Sequence, residues 1–255
     1  MKTVCNLKLW KNQLFVVFLI GIIIFGISCG QPQKSIIHHP FVYDVFPAKA
    51  KNEAKKPLLL LLHGFGSNER NFSKVFSDID SNFTIVSMQA PIELSKGKFA
   101  WYELIFKDGV VHDYDKQQAA ESLYALKNFV QDYIEKNNCN PDKVYILGFS
   151  QGAMMSLEFM ILFPEIINGI VALSGKLGED LSEKISTSEK YSHLSAFVGH
   201  GKNDKIVLIE DAREVHKSLK KLGIKTEYKE YDADHAITPN ELVEIRNWLQ
   251  QELKK

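Results

Sequence analysis

The segment Gly148-Phe149-Ser150-Gln151-Gly152 sets one hydroxyl between two glycines, after the apolar run Val144-Tyr145-Ile146-Leu147 and before an apolar stretch of helical length. A serine lifted on a sharp strand-to-helix turn needs minimal side chains two positions to either side, because strand and helix crowd there. At the helix N-terminus the same serine meets unpaired amides that favour a developing anion. The chemistry this points to is nucleophilic attack on a carbonyl. G-x-S-x-G also arises by chance, so its weight comes from the strand before it, the helix after it and the partners downstream.

A serine hydroxyl is a weak nucleophile until a base takes its proton. Of the eight histidines, His38 and His39 fall in a polar N-terminal stretch, His112 precedes a helical segment, His193 sits in a polar connection and His216 lies within an amphipathic helix. His63 belongs to a separate glycine-rich motif. His235, in Asp232-Ala233-Asp234-His235-Ala236-Ile237, lies between the last strand-like and last helix-like segments and is the expected base. His200, before Gly201 at a strand end, is the runner-up, with packing or backbone hydrogen bonding as its plainer role. The fold that carries a serine elbow orders its triad Ser, acid, His. Asp204, in His200-Gly201-Lys202-Asn203-Asp204, is therefore the expected acid. Among its rivals, Glu210 and Asp211 fall within a helix and suit a solvated role. Asp232 and Asp234 stand so near His235 that helix capping is the plainer reading.

A tetrahedral oxyanion needs two N–H groups aimed at one point. Gln151, next after the serine, would supply one from its backbone. Phe65, in His63-Gly64-Phe65-Gly66, would supply the other, whatever its side chain does as an apolar loop anchor. The histidines lack ligand spacing and the three cysteines are scattered, so no metal site is expected.

Alternating strands and helices must position these groups. Five consecutive leucines, Leu58 to Leu62, lie between Pro57 and His63-Gly64; the run is short and apolar on both faces, which suits a central buried strand. Residues 83–88, 143–147, 167–173 and 196–198 read likewise, and 226–231, which alternates, belongs nearer an edge. Residues 117–136 place Ala120, Leu123, Tyr124, Leu126, Val130 and Ile134 on one helical stripe. Residues 151–163 form a helix apolar nearly all round, 209–222 one that stops at Gly223, and 239–253 the last. The expected class is α/β, a mostly parallel sheet with helices on both faces.

The chain has 255 residues, room for one such domain. Basic and acidic residues number 31 each, so no positive excess exists to neutralise phosphates and nucleic acid is an unpromising partner. Lys2, Lys8 and Lys11 precede an uncharged run, Leu14 to Ile27, that is short for a membrane span and fits an export signal. It ends in Ile27-Ser28-Cys29, which resembles the bacterial lipoprotein processing box, with Gly26 where an aliphatic residue is usual. The expected layout is a signal peptide at 1–28, a lipidated Cys29 opening a tether at 29–40, and a domain over 41–255 on an exported, membrane-anchored protein of a bacterial cell envelope. A signal-anchor helix and ordinary signal cleavage are the other readings. Processing would leave Cys139 as the sole unmodified thiol, so no intramolecular disulfide is expected.

Leu-Leu-His63-Gly64-Phe65-Gly66-Ser67-Asn68-Glu69, Ala90-Pro91, Ala100-Trp101-Tyr102, Gly-Phe-Ser150-Gln151-Gly-Ala-Met, Gly201-Lys-Asn-Asp204 and Asp234-His235 follow one another in that order. Together they resemble the phospholipase/carboxylesterase subfamily of α/β-hydrolases, which includes the acyl-protein thioesterases, over roughly residues 42–253. The resemblance implies an esterase or thioesterase without cofactor, with Ser150, Asp204 and His235 as triad and Phe65 and Gln151 as oxyanion donors. It also implies that Trp101 lines the acyl side of the cleft; a core tryptophan beneath a long loop is the other reading of that residue. Residues 176–193 form a polar connection too short for a large lid, so the expected cleft is open to small soluble or surface esters. A peptidase of the same fold, and a surface binding protein without turnover, are the competing functions. The complete Ser, Asp and His set weighs against the second.

Overall fold

Leu58 to Leu62 are fully buried in the strand β2 (Lys56–Leu62). Side chains alternate across a strand, so the five leucines divide between two cores. Leu59 and Leu61 join Phe72, Phe76, Ile245, Trp248 and Leu249 on one face. Leu58, Leu60 and Leu62 join Leu123, Leu126, Val130, Leu157 and Phe159 on the other. A strand with two buried faces has no polar side, which explains the unbroken leucine run. The computed structural model describes residues 41–49, 55–107, 110–178 and 189–255. The expected signal segment, Cys29 and the tether lie outside the described residues, as does most of the polar connection after Lys176.

The sheet also contains β1 (Tyr43–Phe46), β3 (Thr84–Met88), β8 (Cys139–Phe149), β9 (Gly169–Leu173), β10 (Ser195–Gly201) and β11 (Lys225–Tyr231), in the order β1-β3-β2-β8-β9-β10-β11. Among the described residues of this sheet, only β1 runs antiparallel to its neighbour; the other pairings are parallel. β11 is an edge, as its alternation predicts. Helices α2 (Lys116–Lys136), α3 (Gln151–Leu162) and α4 (Ile209–Lys221) cover one face, and α1 (Glu69–Phe76) and α5 (Pro239–Glu252) the other. The expected α/β class with helices on both faces is the observed one.

Three features differ from the sequence reading. The stripe on α2 is rotated: Ala119, Ser122, Leu123, Ala125, Leu126, Val130 and Tyr133 are buried, whereas Tyr124 is 53% exposed and Ala120 also faces out. Tyr124 instead sets its ring edge against Phe163 at 5.5 Å. Asp232 and Asp234 do not cap α5. Thr238 does, accepting from the Glu241 amide while the Glu241 carboxylate accepts from the Thr238 amide. Two hairpins, β4–β5 (Ile92–Ser95, Lys98–Ala100) and β6–β7 (Leu104–Lys107, Val110–Tyr114), fill the passage from β3 to α2. They alternate too briefly to stand out in sequence. Among the described residues no helical lid accompanies them.

Candidate active site

Ser150 adopts φ 54° and ψ −116°, a backbone state that a non-glycine residue keeps only when its surroundings hold it. They do so by hydrogen bonds. Its N–H donates to Leu173 O at 2.8 Å across to β9, and its carbonyl accepts from Ala153 N at 2.9 Å and Met154 N at 3.1 Å as α3 begins. The flanking glycines are dictated by space. A Cβ on Gly148 would run into the Gly152 carbonyl, and one on Gly152 into the Leu62 carbonyl of β2.

Asp204 follows β10 and is buried, and His235 lies in the loop between β11 and α5. Their contact is direct: Asp204 Oδ2 is 2.6 Å from His235 Nδ1. The other oxygen, Oδ1, accepts the Ile206 and Val207 amides at 2.8 and 3.0 Å. Burial alone would raise this carboxyl's pKa, but the His235 hydrogen bond and the two amides outweigh it and hold Asp204 below the ordinary carboxylate value. With Nδ1–H donating to the carboxylate, Nε2 of a neutral His235 is the basic nitrogen. The imidazole packs against Phe149, the residue before Ser150, at 4.9 Å between ring centroids. Gly64 closes the group from β2's end, its Cβ position 3.3 Å from both the Phe149 ring and Ser150 Cβ.

His200 is buried beside this acid. Its Nε2 donates to Val207 O at 2.8 Å and lies 3.4 Å from Asp204 Oδ2. It thus braces the loop that presents Asp204. Asp232 accepts from Asn203 at 3.0 Å on the surface, and Asp211 accepts from the Leu208 amide at 3.2 Å at the start of α4. Neither of those rivals reaches His235.

The glycine-rich loop after β2 is pinned from within. His63 Nδ1 donates to Gly64 O at 2.8 Å while Nε2 accepts the Ala90 amide at 3.0 Å. Burial drives its pKa down to about 4, against the smaller opposing effect of the Gly64 bond, so the ring is neutral, as these two bonds require. The Gly66 amide donates to Phe99 O at 2.8 Å, and Gly66 takes φ 75°, turning the chain sharply after Phe65. The Phe65 side chain is exposed. Among the described residues, no protein acceptor engages the backbone N–H of either Phe65 or Gln151.

The Gln151 side chain has a second role that the sequence reading missed. Its Oε1 accepts the Trp101 amide at 2.9 Å and its Nε2 donates to Tyr102 O at 2.7 Å, both buried. Trp101 itself is fully buried; its indole N–H donates to His63 O at 2.9 Å. Its place is therefore beneath the glycine-rich loop, bracing it from the core, and the cleft-lining role implied by the resemblance does not fit. A wholly buried ring offers no surface to an acyl chain. The only earlier signal for the Gln151 clamp is that Trp101-Tyr102 and Ser150-Gln151 both belong to the resemblance.

Comparison with known proteins agrees with this architecture. The phospholipase/carboxylesterase family model matches residues 45–253. Carboxylesterase SOBER1 of Arabidopsis thaliana is 28% identical, over 78% of this chain and 92% of its own. An acyl-protein thioesterase 1 of Debaryomyces hansenii is 26% identical, over 78% of this chain and 93% of its own. Among solved structures, a Bacillus cereus carboxylesterase superposes with a TM-score of 0.72 at 18% identity, covering 84% of this chain and 95% of that one, a likeness of fold. The chain thus belongs to the phospholipase/carboxylesterase family, with the α/β-hydrolase fold and the ester-cleaving class of chemistry that the family name denotes.

Proposed function

We propose that the protein is a serine ester hydrolase that works through an acyl-enzyme on Ser150. The observation that carries this reading is the 2.6 Å contact between Asp204 and His235, next to a serine held in a strained elbow. His235 Nε2 takes the Ser150 proton as Oγ attacks the carbonyl carbon. The oxyanion that forms is met by the Phe65 and Gln151 backbone N–H groups, the latter at the N-terminus of α3. The imidazolium, stabilised by the Asp204 carboxylate, then protonates the leaving alkoxide or thiolate. Water, deprotonated by the same nitrogen, releases the acid and restores Ser150. Small-molecule or surface esters are the substrates of this reading, and thioesters use the same steps.

The experiment is direct. Ser150→Ala should abolish turnover of p-nitrophenyl acetate and labelling by a fluorophosphonate, while the wild type shows both. Full turnover by Ser150→Ala would rule out the acyl-enzyme, and an unlabelled, folded wild type would favour a binding role instead.

Export and anchoring complete the proposal, on the support of the N-terminal sequence: a basic start, an apolar run and Cys29 in a lipoprotein-like box. Cys29→Ala should move the protein from the membrane fraction of a bacterial host to a soluble or unprocessed form. An unchanged distribution and mass would count against lipidation.

A further inference from the structure

Helix α3 is buried on nearly every side, with one exception. Its partly or fully exposed positions are Met154, Glu158 and Leu162, following Ser150 at intervals of four. Residues four apart share a helix face, so Met154, Glu158 and Leu162 form a single partly exposed stripe, which starts at the turn where the Met154 amide donates to Ser150 O. Glu158 lies two steps along, about 12 Å from Ser150 at the α-helical rise. The stripe has walls. Tyr102 donates its hydroxyl to Met154 Sδ at 3.3 Å, and its ring lies 5.0 Å from that of Tyr114. Gly178 closes the far end: a Cβ there would stand 3.3 Å from Glu158 Oε1 and 3.5 Å from Tyr114 Oη.

We infer that this stripe is the specificity groove of the esterase, and that Glu158 selects substrates carrying a cationic or hydrogen-bond-donating group at the remote end of an apolar chain. Met154 supplies apolar contact next to the reacting carbonyl. Glu158 then presents a carboxylate where a plain alkyl chain would offer it nothing. Burial raises its pKa, and among the described residues no cation opposes that effect; a bound ammonium or hydroxyl would give the carboxylate a partner. Half-buried carboxylates are costly without one, so a merely packed residue here would more naturally be apolar.

The inference rests on the ester-hydrolase reading and is tested so that the two fail separately. The probes are p-nitrophenyl octanoate and p-nitrophenyl ω-aminooctanoate, compared by the ratio of their kcat/KM values. The wild type should favour the ω-amino ester by about tenfold, the worth of one charge-assisted hydrogen bond. Glu158→Gln should shrink the ratio and Glu158→Leu should invert it in favour of the plain octanoate. A ratio near one in the wild type, or a preference untouched by either substitution, overturns the inference alone. Failure of the wild type to hydrolyse either probe, or p-nitrophenyl acetate, overturns the ester-hydrolase reading and this inference with it.

Discussion

Asp204 Oδ2 lies 2.6 Å from His235 Nδ1 while Oδ1 accepts two backbone amides, so the carboxylate is fixed at both oxygens and the imidazole is fixed by it. The proposed role of this pair is to hold one His235 tautomer and stabilise its protonated form. Asp204→Asn puts an amide where the carboxylate was and loses that charge. Ester turnover should fall by about 10⁴-fold in kcat with KM little changed. Stopped-flow kinetics on a p-nitrophenyl ester measures this, and a loss confined to KM would contradict the role.

The elbow makes a prediction about stability. The space around Gly152 is closed by the Leu62 carbonyl, so Gly152→Ala forces β2 and α3 apart. A cost of about 3 kcal/mol is expected from overpacking of this kind. Urea denaturation followed by circular dichroism should show a lower midpoint. An unchanged midpoint would mean that the turn has slack which the crowding around it does not suggest.

Gln151 links the elbow to Trp101 and Tyr102 through an accepting oxygen and a donating nitrogen. Gln151→Glu keeps the shape but sets an oxygen against the Tyr102 carbonyl. The substitution should destabilise the fold by about 1–3 kcal/mol, the cost of a buried unpaired acceptor. It should also lower kcat, since Trp101 braces the glycine-rich loop. Gln151→Met, which makes neither bond, should act similarly. If both variants melt like the wild type, the clamp contributes little.

Glu241 is buried at the start of α5, and burial raises its carboxyl to about pH 7, with the Thr238 amide opposing and Glu244 adding. The folded state therefore binds this proton more tightly than the unfolded chain does. The sign follows: its contribution is most favourable below the unfolded carboxyl range and is lost as pH rises through about 7. Glu241→Gln removes the titration and keeps an oxygen for the Thr238 amide. It should stabilise the protein at about pH 8 and matter little at about pH 4. Thermal melts across this range would reveal a pH-independent difference if Glu241 does not titrate there.

How much of this was legible in advance differs from residue to residue. The leucine strand, the glycines of the elbow and the chain order of Ser150, Asp204 and His235 are local signals: a run, a spacing, a sequence order. Each is set by short-range crowding or by the topology of a parallel sheet, and each is readable in one dimension. The hairpins between β3 and α2 were not, because three- to five-residue strands carry too few alternations. Nor was the rotation of α2, where overlapping apolar faces compete and only docking onto the sheet chooses.

By itself, then, the sequence determined the α/β class, the sharp strand-to-helix turn at Ser150 and the residues proposed as base and acid. Tertiary structure decided which polar groups meet. It set His235 against Asp204 from loops 31 residues apart in the chain, buried Trp101 beneath the glycine-rich loop, and turned Gln151 into a clamp. It also left one stripe of α3 open, leading to Glu158. Hydrogen-bond partners and exposure depend on distances between elements distant in sequence, and no pattern along the chain encodes those.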